Sequence, residues 1–237
     1  MYTPYGLNTL DTCLACPVRE EHFFCNLSPR AVQRLDEMTA TAVYPEGAIL
    51  FIEGQQPQGA FVLCGGKAKL SISSREGRTI ITNIPERGEV LGLNAVISNR
   101  PYEVTAEMME SGQVNFIPSD SLLQLLKDDS EVGMNVAAEL SRNYYAAHEE
   151  IRTLGLTTSL SERLAKVLLS WSDKTMQGDD AMHVKLTLTQ EEIAETIGTT
   201  REVVSHLFSE FKQKQLIQVK GSTIVFRNRE LEKMIQS

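Results

Sequence analysis

LTLTQEEIAETIGTTREVVSHLFSEFKQKQLIQVKGSTIVFRN, residues 186–228, is the stretch on which the reading of the fold turns. Thr189 and Glu192 stand at capping-box spacing. In such a box the hydroxyl accepts from the N–H of the third helical residue, and that residue's carboxylate reaches back to the cap N–H. Leu188 and Ile193 hold the two positions of a hydrophobic staple. A helix is therefore expected from about Gln190 to Ile197. Gly198 ends it, because the turn there requires positive φ. Thr199 or Thr200 then caps a second helix running to about Lys214. Two short helices joined by so tight a turn cross closely and need a small residue at the crossing. Ala194 meets that need from the first helix, and Val204 plugs the crossing from the second. The arrangement is a helix-turn-helix.

The second helix has two faces. Val204, Leu207, Phe208 and Phe211 recur at core spacing. Arg201, Glu202, Ser205, His206 and Ser209 lie opposite, on a face able to enter a major groove. Arginine reads guanine with two hydrogen bonds, glutamate accepts from cytosine, and serine serves several bases. Arg201, Glu202, Ser205 and His206 are accordingly the expected base contacts. After the helix, LIQVK-GS-TIVF predicts a β-hairpin with Lys220, Gly221, Ser222 and Thr223 at its tip, a wing beside the recognition helix. Thr189, Thr200, Ser209, Lys212, Lys220 and Thr223 are the expected phosphate contacts, which position a protein without reading sequence. The partner is double-stranded DNA.

Working towards the N-terminus, SLSERLAKVLLSWSD predicts an amphipathic helix with Leu160, Leu164, Val167, Leu168 and Trp171 on one face, followed by a loop, TMQGDDAM. Before it a longer helix is expected from Glu131 to about Thr153. Within it Leu140, Tyr144, Ala147, Ile151 and Leu154 step by four and three, the spacing of a dimer seam, and Val132 and Val136 extend the stripe. Between Ala42 and Pro118 the period changes. AVYPEGAILFIEG, GAFVLCGGKAKLSIS, REGRTIITNI and QVNFIP are β-rich runs separated by glycine, which indicates an antiparallel sandwich or barrel. The fold class is α+β.

Charge and composition narrow the function. The net charge of −8 argues at first against a nucleic-acid partner. The first 159 residues, however, carry 12 Lys+Arg against 20 Asp+Glu, and the remainder 11 against 11. The acidity belongs to the N-terminal part, which leaves a neutral C-terminal domain free to present a basic face. No run of about eighteen apolar residues is present, so no membrane partner is expected. No secretory signal is visible, and a cytoplasmic location is expected. Nucleophile–base pairs, phosphate loops and zinc-hydrolase motifs are missing from the sequence, so the chain does not read as an enzyme.

CLACPVREEHFFC, residues 13–25, holds three of the four cysteines. Four readings stay open. Cys13, Cys16 and Cys25 with Cys64 would make four thiolates for an iron–sulfur cluster. With His22 the same three would make a Cys₃His zinc set. Cys13 and Cys16 alone would make a disulfide sensor. Free thiols are the fourth reading, with Cys64 a small core residue.

Over nearly its whole length the chain resembles the bacterial CRP/FNR transcription regulators. GAILFIEGQQPQGAFVLCGGKAKL, RGEVLGLNAVI and TQEEIAETIGTTREVVSHLFSEF match that family's pattern in order and spacing. The resemblance implies a cysteine-containing segment over 1–27 and a jelly-roll-like β-roll sensor of cyclic-nucleotide-binding type over 28–128. It further implies a dimerisation helix over 129–156 and a winged helix-turn-helix over 157–237. It implies a homodimer on a palindromic operator, with RNA polymerase as a further partner if the protein activates. Glu202, Ser205 and Arg201 would then touch bases, while His206 stands where an arginine is usual. Members that bind cyclic AMP place a glutamate and an arginine–serine pair around the ligand. Here Leu93 and Glu103–Val104 occupy those positions, and Glu103 would face the phosphate with like charge, so cyclic nucleotide is not expected. Members of the FNR type hold an oxygen-labile [4Fe–4S] cluster through an N-terminal cysteine group and a fourth cysteine in the β-roll. Asn115 occupies that fourth position here, and Cys64 lies on another strand.

Overall fold

The computed structural model describes residues 7, 9, 12–22, 24–156, 159–170, 181–185, 188–220 and 223–235. The chain forms two compact units, Met1–Ala147 and His148–Ser237. In the first, eight strands make two antiparallel four-stranded sheets. One sheet has the order β1 (Ala40–Tyr44), β8 (Gly112–Pro118), β3 (Gly59–Leu63), β6 (Val90–Leu91). The other has the order β2 (Ile49–Phe51), β7 (Thr105–Glu110), β4 (Lys67–Ser73), β5 (Thr79–Asn83). Phe51, Phe61, Leu63, Leu91, Tyr102, Met108 and Val114 form one core cluster, to which both sheets contribute.

A second core cluster joins Ala60, Val62 and Ile117 of the first sheet to several helices: α1 (Pro29–Met38), α2 (Leu93–Ser98), α3 (Ser119–Asp128) and the first turns of α4 (Ser130–Leu156). Strand β3 is thus buried on both faces, which is why GAFVL is continuously apolar instead of alternating. Single 3₁₀ turns at Cys13–Ala15 and Arg19–Glu21 precede α1, and Phe24 and Leu27 enter the second cluster. Three elements differ from the sequence expectation. Strand β7 is built from TAEMME, residues with little strand preference; pairing with β2 and β4 on either side overrides that preference. Helices α1 and α2 were not expected: α1 precedes the β-rich runs, and α2 is a six-residue helix lying between them.

Helix α4 corrects part of the dimer stripe. Val132 and Val136 are buried at 0% and 4% exposure inside the second cluster, and Leu140 packs partly against it. Val132 and Val136 therefore belong to the interior of their own unit and not to a seam. Tyr144, Ala147 and Ile151 are exposed, and so are Met134 and Tyr145 on the same helix.

In the second unit, α5 (Leu160–Ser170), α6 (Gln190–Ile197), α7 (Arg201–Gln213) and α8 (Asn228–Ile235) accompany a three-stranded sheet. The sheet has the order β10 (Ile217–Lys220), β11 (Thr223–Arg227), β9 (Ala181–Lys185). The hairpin follows the sequence expectation, with Lys220 opposite Thr223. Strand β9 is an addition, paired to β11 across some forty positions of chain. Trp171 and most of the expected loop TMQGDDAM lie outside the described residues. Leu164, Leu168, Ile193, Ile197, Phe211, Ile224 and Leu231 fill the interior at 0–1% exposure.

Candidate nucleic-acid interface and thiol cavity

The helix pair is held by caps at both ends of its first member. Glu192 N–H donates to Thr189 Oγ1 at 3.2 Å, and Thr189 N–H donates to Glu192 Oε2 at 2.9 Å, closing the capping box. Leu188 and Ile193 are both buried, as a staple requires. Gly198 takes φ +70° and its N–H returns to the Ala194 carbonyl. Ala194 and Val204 are 1% and 0% exposed at the crossing. One residue that sequence reasoning passed over completes this frame. Arg163 of α5 donates from Nη1 to the Ile197 carbonyl at 3.1 Å and from Nη2 to the Leu154 carbonyl at 2.7 Å. Both acceptors lie near helix C-termini, where carbonyls lack intrahelical partners and attract a cation. Arg163 thus ties the end of α4 to the helix pair.

The two faces of α7 separate as their spacing requires. Val204, Leu207, Phe208 and Phe211 are buried, while Arg201, Glu202, Ser205, His206 and Ser209 are exposed. Glu202 is held ionised. Its own backbone N–H, then the Thr200 hydroxyl, then Arg201 lower its carboxyl below the ordinary glutamate range. A permanent carboxylate in the first turn also suits the positive end of the helix. Thr200 is the N-cap residue, and its side chain serves Glu202 instead of a backbone N–H. The Ser209 hydroxyl donates to the Ser205 carbonyl at 3.0 Å. Lys212 is exposed beside the Lys214–Glu210 ion pair. Lys220 and Thr223 end and begin the hairpin strands. Their side chains, and Gly221 and Ser222, lie outside the described residues.

The cysteines meet. Cys13, Cys16, Cys25 and Cys64 all line one cavity of about 150 Å³, together with Arg19, Asp36, Arg87, Gly88, Gln113 and Asn115. Asp36 of α1 places the first of them: its carboxylate accepts from Thr12 Oγ1 at 2.6 Å and from the Cys13 N–H at 3.2 Å. Cys25 Sγ lies 3.8 Å from the Gly88 carbonyl. Gly88, at φ +97°, lies so close under the His22 ring that a Cβ would stand 2.2 Å from it. Cys64 follows β3, and its N–H donates to the Gln113 carbonyl at 2.9 Å.

All four thiols are free. Burial, first of all, pushes Cys25 up to about 12 and Cys64 up to about 11. Burial and then the hydrogen bond to Asp36 raise Cys13 further. Cys13 and Cys16 carry no disulfide. The zinc set is not assembled either. His22 packs over Gly88 and does not line the cavity, and among the described residues no three of His, Cys, Asp and Glu could share one ion. A cubane cluster differs, since each thiolate binds a different iron and the sulfurs need not converge on one point. Among the described residues, Arg87 Nε is buried without a hydrogen-bond partner. Four thiols and an orphaned cationic donor on one cavity fit an anionic, thiolate-ligated group.

Around the positions compared with the cyclic-nucleotide cassette, side chains contact one another. Tyr102 stacks on Phe51 at 4.1 Å between centroids and donates its hydroxyl to the Gly59 carbonyl at 2.6 Å. Leu93 is 1% exposed in the second core cluster. Glu103 accepts from Asn94 Nδ2 at 3.1 Å.

Residues 41–129 match the model of the cyclic nucleotide-binding domain, and residues 162–233 match that of the Crp-like helix-turn-helix domain. The chain belongs to the CRP/FNR family of transcription regulators. It is a DNA-binding regulator with a mixed α+β fold, and not an enzyme. A CRP-like cAMP-activated global transcriptional regulator of Mycobacterium tuberculosis is 24% identical over 209 residues, covering 87% of this chain and 92% of the relative. The fumarate and nitrate reduction regulatory protein of Yersinia pestis is 25% identical over 220 residues, covering 92% and 87%. Among solved structures, FixK2 from Bradyrhizobium japonicum superposes with a TM-score of 0.71 at 21% identity, covering 82% of this chain and 96% of that one. The c-di-GMP responsive regulator CLP of Xanthomonas campestris does so with 0.74 at 16% identity, covering 84% and 99%. These two structures bear on the fold of the CRP/FNR chain. No described helix is long and apolar enough to cross a membrane.

Proposed function

We propose that this regulator acts as a homodimer on a two-fold symmetric operator, with Arg201, Glu202, Ser205 and His206 against base edges. Thr189, Thr200, Ser209, Lys212, Lys220 and Thr223 hold phosphates in this reading. The observation that carries it is the division of α7 into a buried apolar face and an exposed face bearing a cation, an ionised carboxylate and a hydroxyl. Two copies of such a helix reach successive major grooves when their half-sites lie about 34 Å apart. The dimer reading draws on α4, where Tyr144 and Ile151 are 63% and 66% exposed. Burying large apolar side chains in a partner helix stabilises by roughly 1.5–3 kcal/mol each.

The sensor in this reading is the thiol cavity, holding an iron–sulfur cluster through its cysteines. When bound, such a group supplies one-electron redox chemistry and sensitivity to oxygen. Cyclic nucleotide is not the effector in this reading, since Glu103 presents like charge to a phosphate and Leu93 stands buried at the position of the ribose-binding glutamate. RNA polymerase is the further partner where the regulator activates.

Selection of bound duplexes from a randomised pool, followed by light scattering of protein alone and with the selected duplex, tests the dimer and operator. The expected outcome is an inverted repeat with half-sites one helical turn apart, bound by twice the mass of one chain. A selected site without two-fold symmetry, bound by one chain, overturns it.

A further inference from the structure

We propose that Cys64 is the fourth thiolate of the iron–sulfur site, in place of the β8 position held by Asn115, and that Arg87 donates its Nε–H to the bound cluster. This rests on the cavity being a cluster site and goes on to name the ligands and the charge partner.

Asn115 is unsuited to ligation by its own hydrogen bonds. Its Oδ1 already accepts from Thr41 Oγ1 at 3.0 Å and from Gln113 Nε2 at 3.4 Å. Its Nδ2 donates towards Cys13 Sγ at 3.7 Å. Asn115 therefore presents an N–H to the sulfur of a ligand and offers no lone pair to iron. Cys64 takes over from the neighbouring strand. Strand β3 pairs with β8, Val62 opposite Asn115, and the Cys64 N–H continues that pairing to Gln113. The approach is close because Gly112 faces the Gly65 carbonyl, where a Cβ would stand 2.0 Å away. The thiol that replaces the β8 ligand thus opens on the same cavity as Asn115.

Arg87 supplies the second observation. A buried donor without a partner costs about 1–3 kcal/mol, more when charged. Arg19 lines the same cavity, but it donates to the Leu27 carbonyl at 2.9 Å and pairs with Glu20 at 3.5 Å. The Asp36 carboxylate is engaged by Thr12 and Cys13. Arg87 lines the cavity, and its Nε has no acceptor among the described residues. A [4Fe–4S] core of formal charge 2+ held by four thiolates is a dianion whose sulfurs accept hydrogen bonds. Donors to those sulfurs raise the reduction potential.

The full-length protein is incubated without oxygen with a synthetic thiolate-ligated [4Fe–4S] cluster. As each protein sulfur bonds to iron, its proton passes to a departing small thiolate, and no electron is transferred. Iron and acid-labile sulfide per chain, visible absorption and the midpoint potential are then read. Wild type and Asn115→Ala are expected to take up about four irons per chain. Cys64→Ala is expected to hold less iron with an altered spectrum. Arg87→Gln is expected to keep its iron and to reduce at lower potential. A wild type that takes up no cluster overturns the cluster reading itself. Wild-type iron and spectrum in Cys64→Ala, with wild type loaded, overturn Cys64 alone. An unmoved potential in Arg87→Gln overturns the Arg87 assignment. Should Cys64→Ala lose its thermal transition, Cys64→Ser decides instead: an unchanged spectrum and potential overturn the ligand, and a changed one supports it.

Discussion

The DNA-reading helix pair and the thiol cavity are assembled in opposite ways. Thr189, Glu192, Gly198, Arg201 and Glu202 lie within one short run of chain, and each acts on a neighbour a few positions away. The cavity draws Cys13 and Cys16 from the N-terminal segment, Asp36 from α1, Cys64 from the end of β3 and Arg87 from the loop before β6. A site built from local spacing fails one element at a time. A site built from distant segments depends on every contact that brings them together. The cavity also borders the long helix by a short path. Gly88 faces Cys25, and the adjoining Glu89 holds Arg142 of α4 at 3.0 Å. Arg142 also pairs with Glu139, which is 2% exposed.

The sharpest way to break the comparison is at the groove. Arg201→Ala with Glu202→Ala should lower affinity for the selected operator by about a hundredfold or more, since each good base contact contributes roughly 1–3 kcal/mol. Affinity for unrelated duplex and the mass of the free protein should stay the same. Fluorescence anisotropy with both duplexes measures it, and equal losses on the two would move these residues from bases to phosphates.

On the assembled side, Arg142→Ala leaves the Glu139 carboxylate buried without its cation. Fully buried pairs cost several kcal/mol when broken, but Arg142 is 37% exposed and water screens part of the loss. About 2 kcal/mol is expected in urea unfolding, with operator-site residues unaffected. Asp36→Ala removes the acceptors of Thr12 Oγ1 and the Cys13 N–H. Hydrogen bonds to a charged group contribute about 1.5–3 kcal/mol. Part of that loss is local, so amide exchange at Cys13 should speed up by roughly tenfold while the midpoint of global unfolding moves little.

The smallest effect belongs to the local side. Gly198→Ala keeps the helix pair but places a Cβ at φ +70°, at a cost of about 1–2 kcal/mol. Thermal unfolding should register the loss in the C-terminal unit alone. A fall of the same size in the N-terminal unit would mean that the two units do not unfold independently.

How much was legible follows the same division. The capping box, the staple, Ala194 against Val204 and the two faces of α7 are properties of spacing, so the sequence alone placed them. The hairpin LIQVK-GS-TIVF was legible for the same reason. Strand β9 was not, because its pairing with β11 spans the stretch between them. Strand β7 was hidden by helix-favouring residues, and Val136 was assigned to a dimer seam because helical spacing cannot tell which body covers an apolar face. Arg163 left no local signal, since both its acceptors are carbonyls of other helices.

By itself, then, the sequence determined a DNA-reading helix pair, the β-rich body before it and the long helix between them. Hydrogen bonds and apolar contacts a few residues apart leave a periodic mark. It also counted four thiols without being able to say where they go. Tertiary structure alone decided that Cys64 reaches the same cavity as Cys13, Cys16 and Cys25, that His22 turns to Gly88, and that Arg87 lines that cavity. Those placements depend on β3 lying beside β8 and on α1 holding the N-terminal turn. Chain proximity in space, unlike spacing along the chain, is set only when the sheet and the core close.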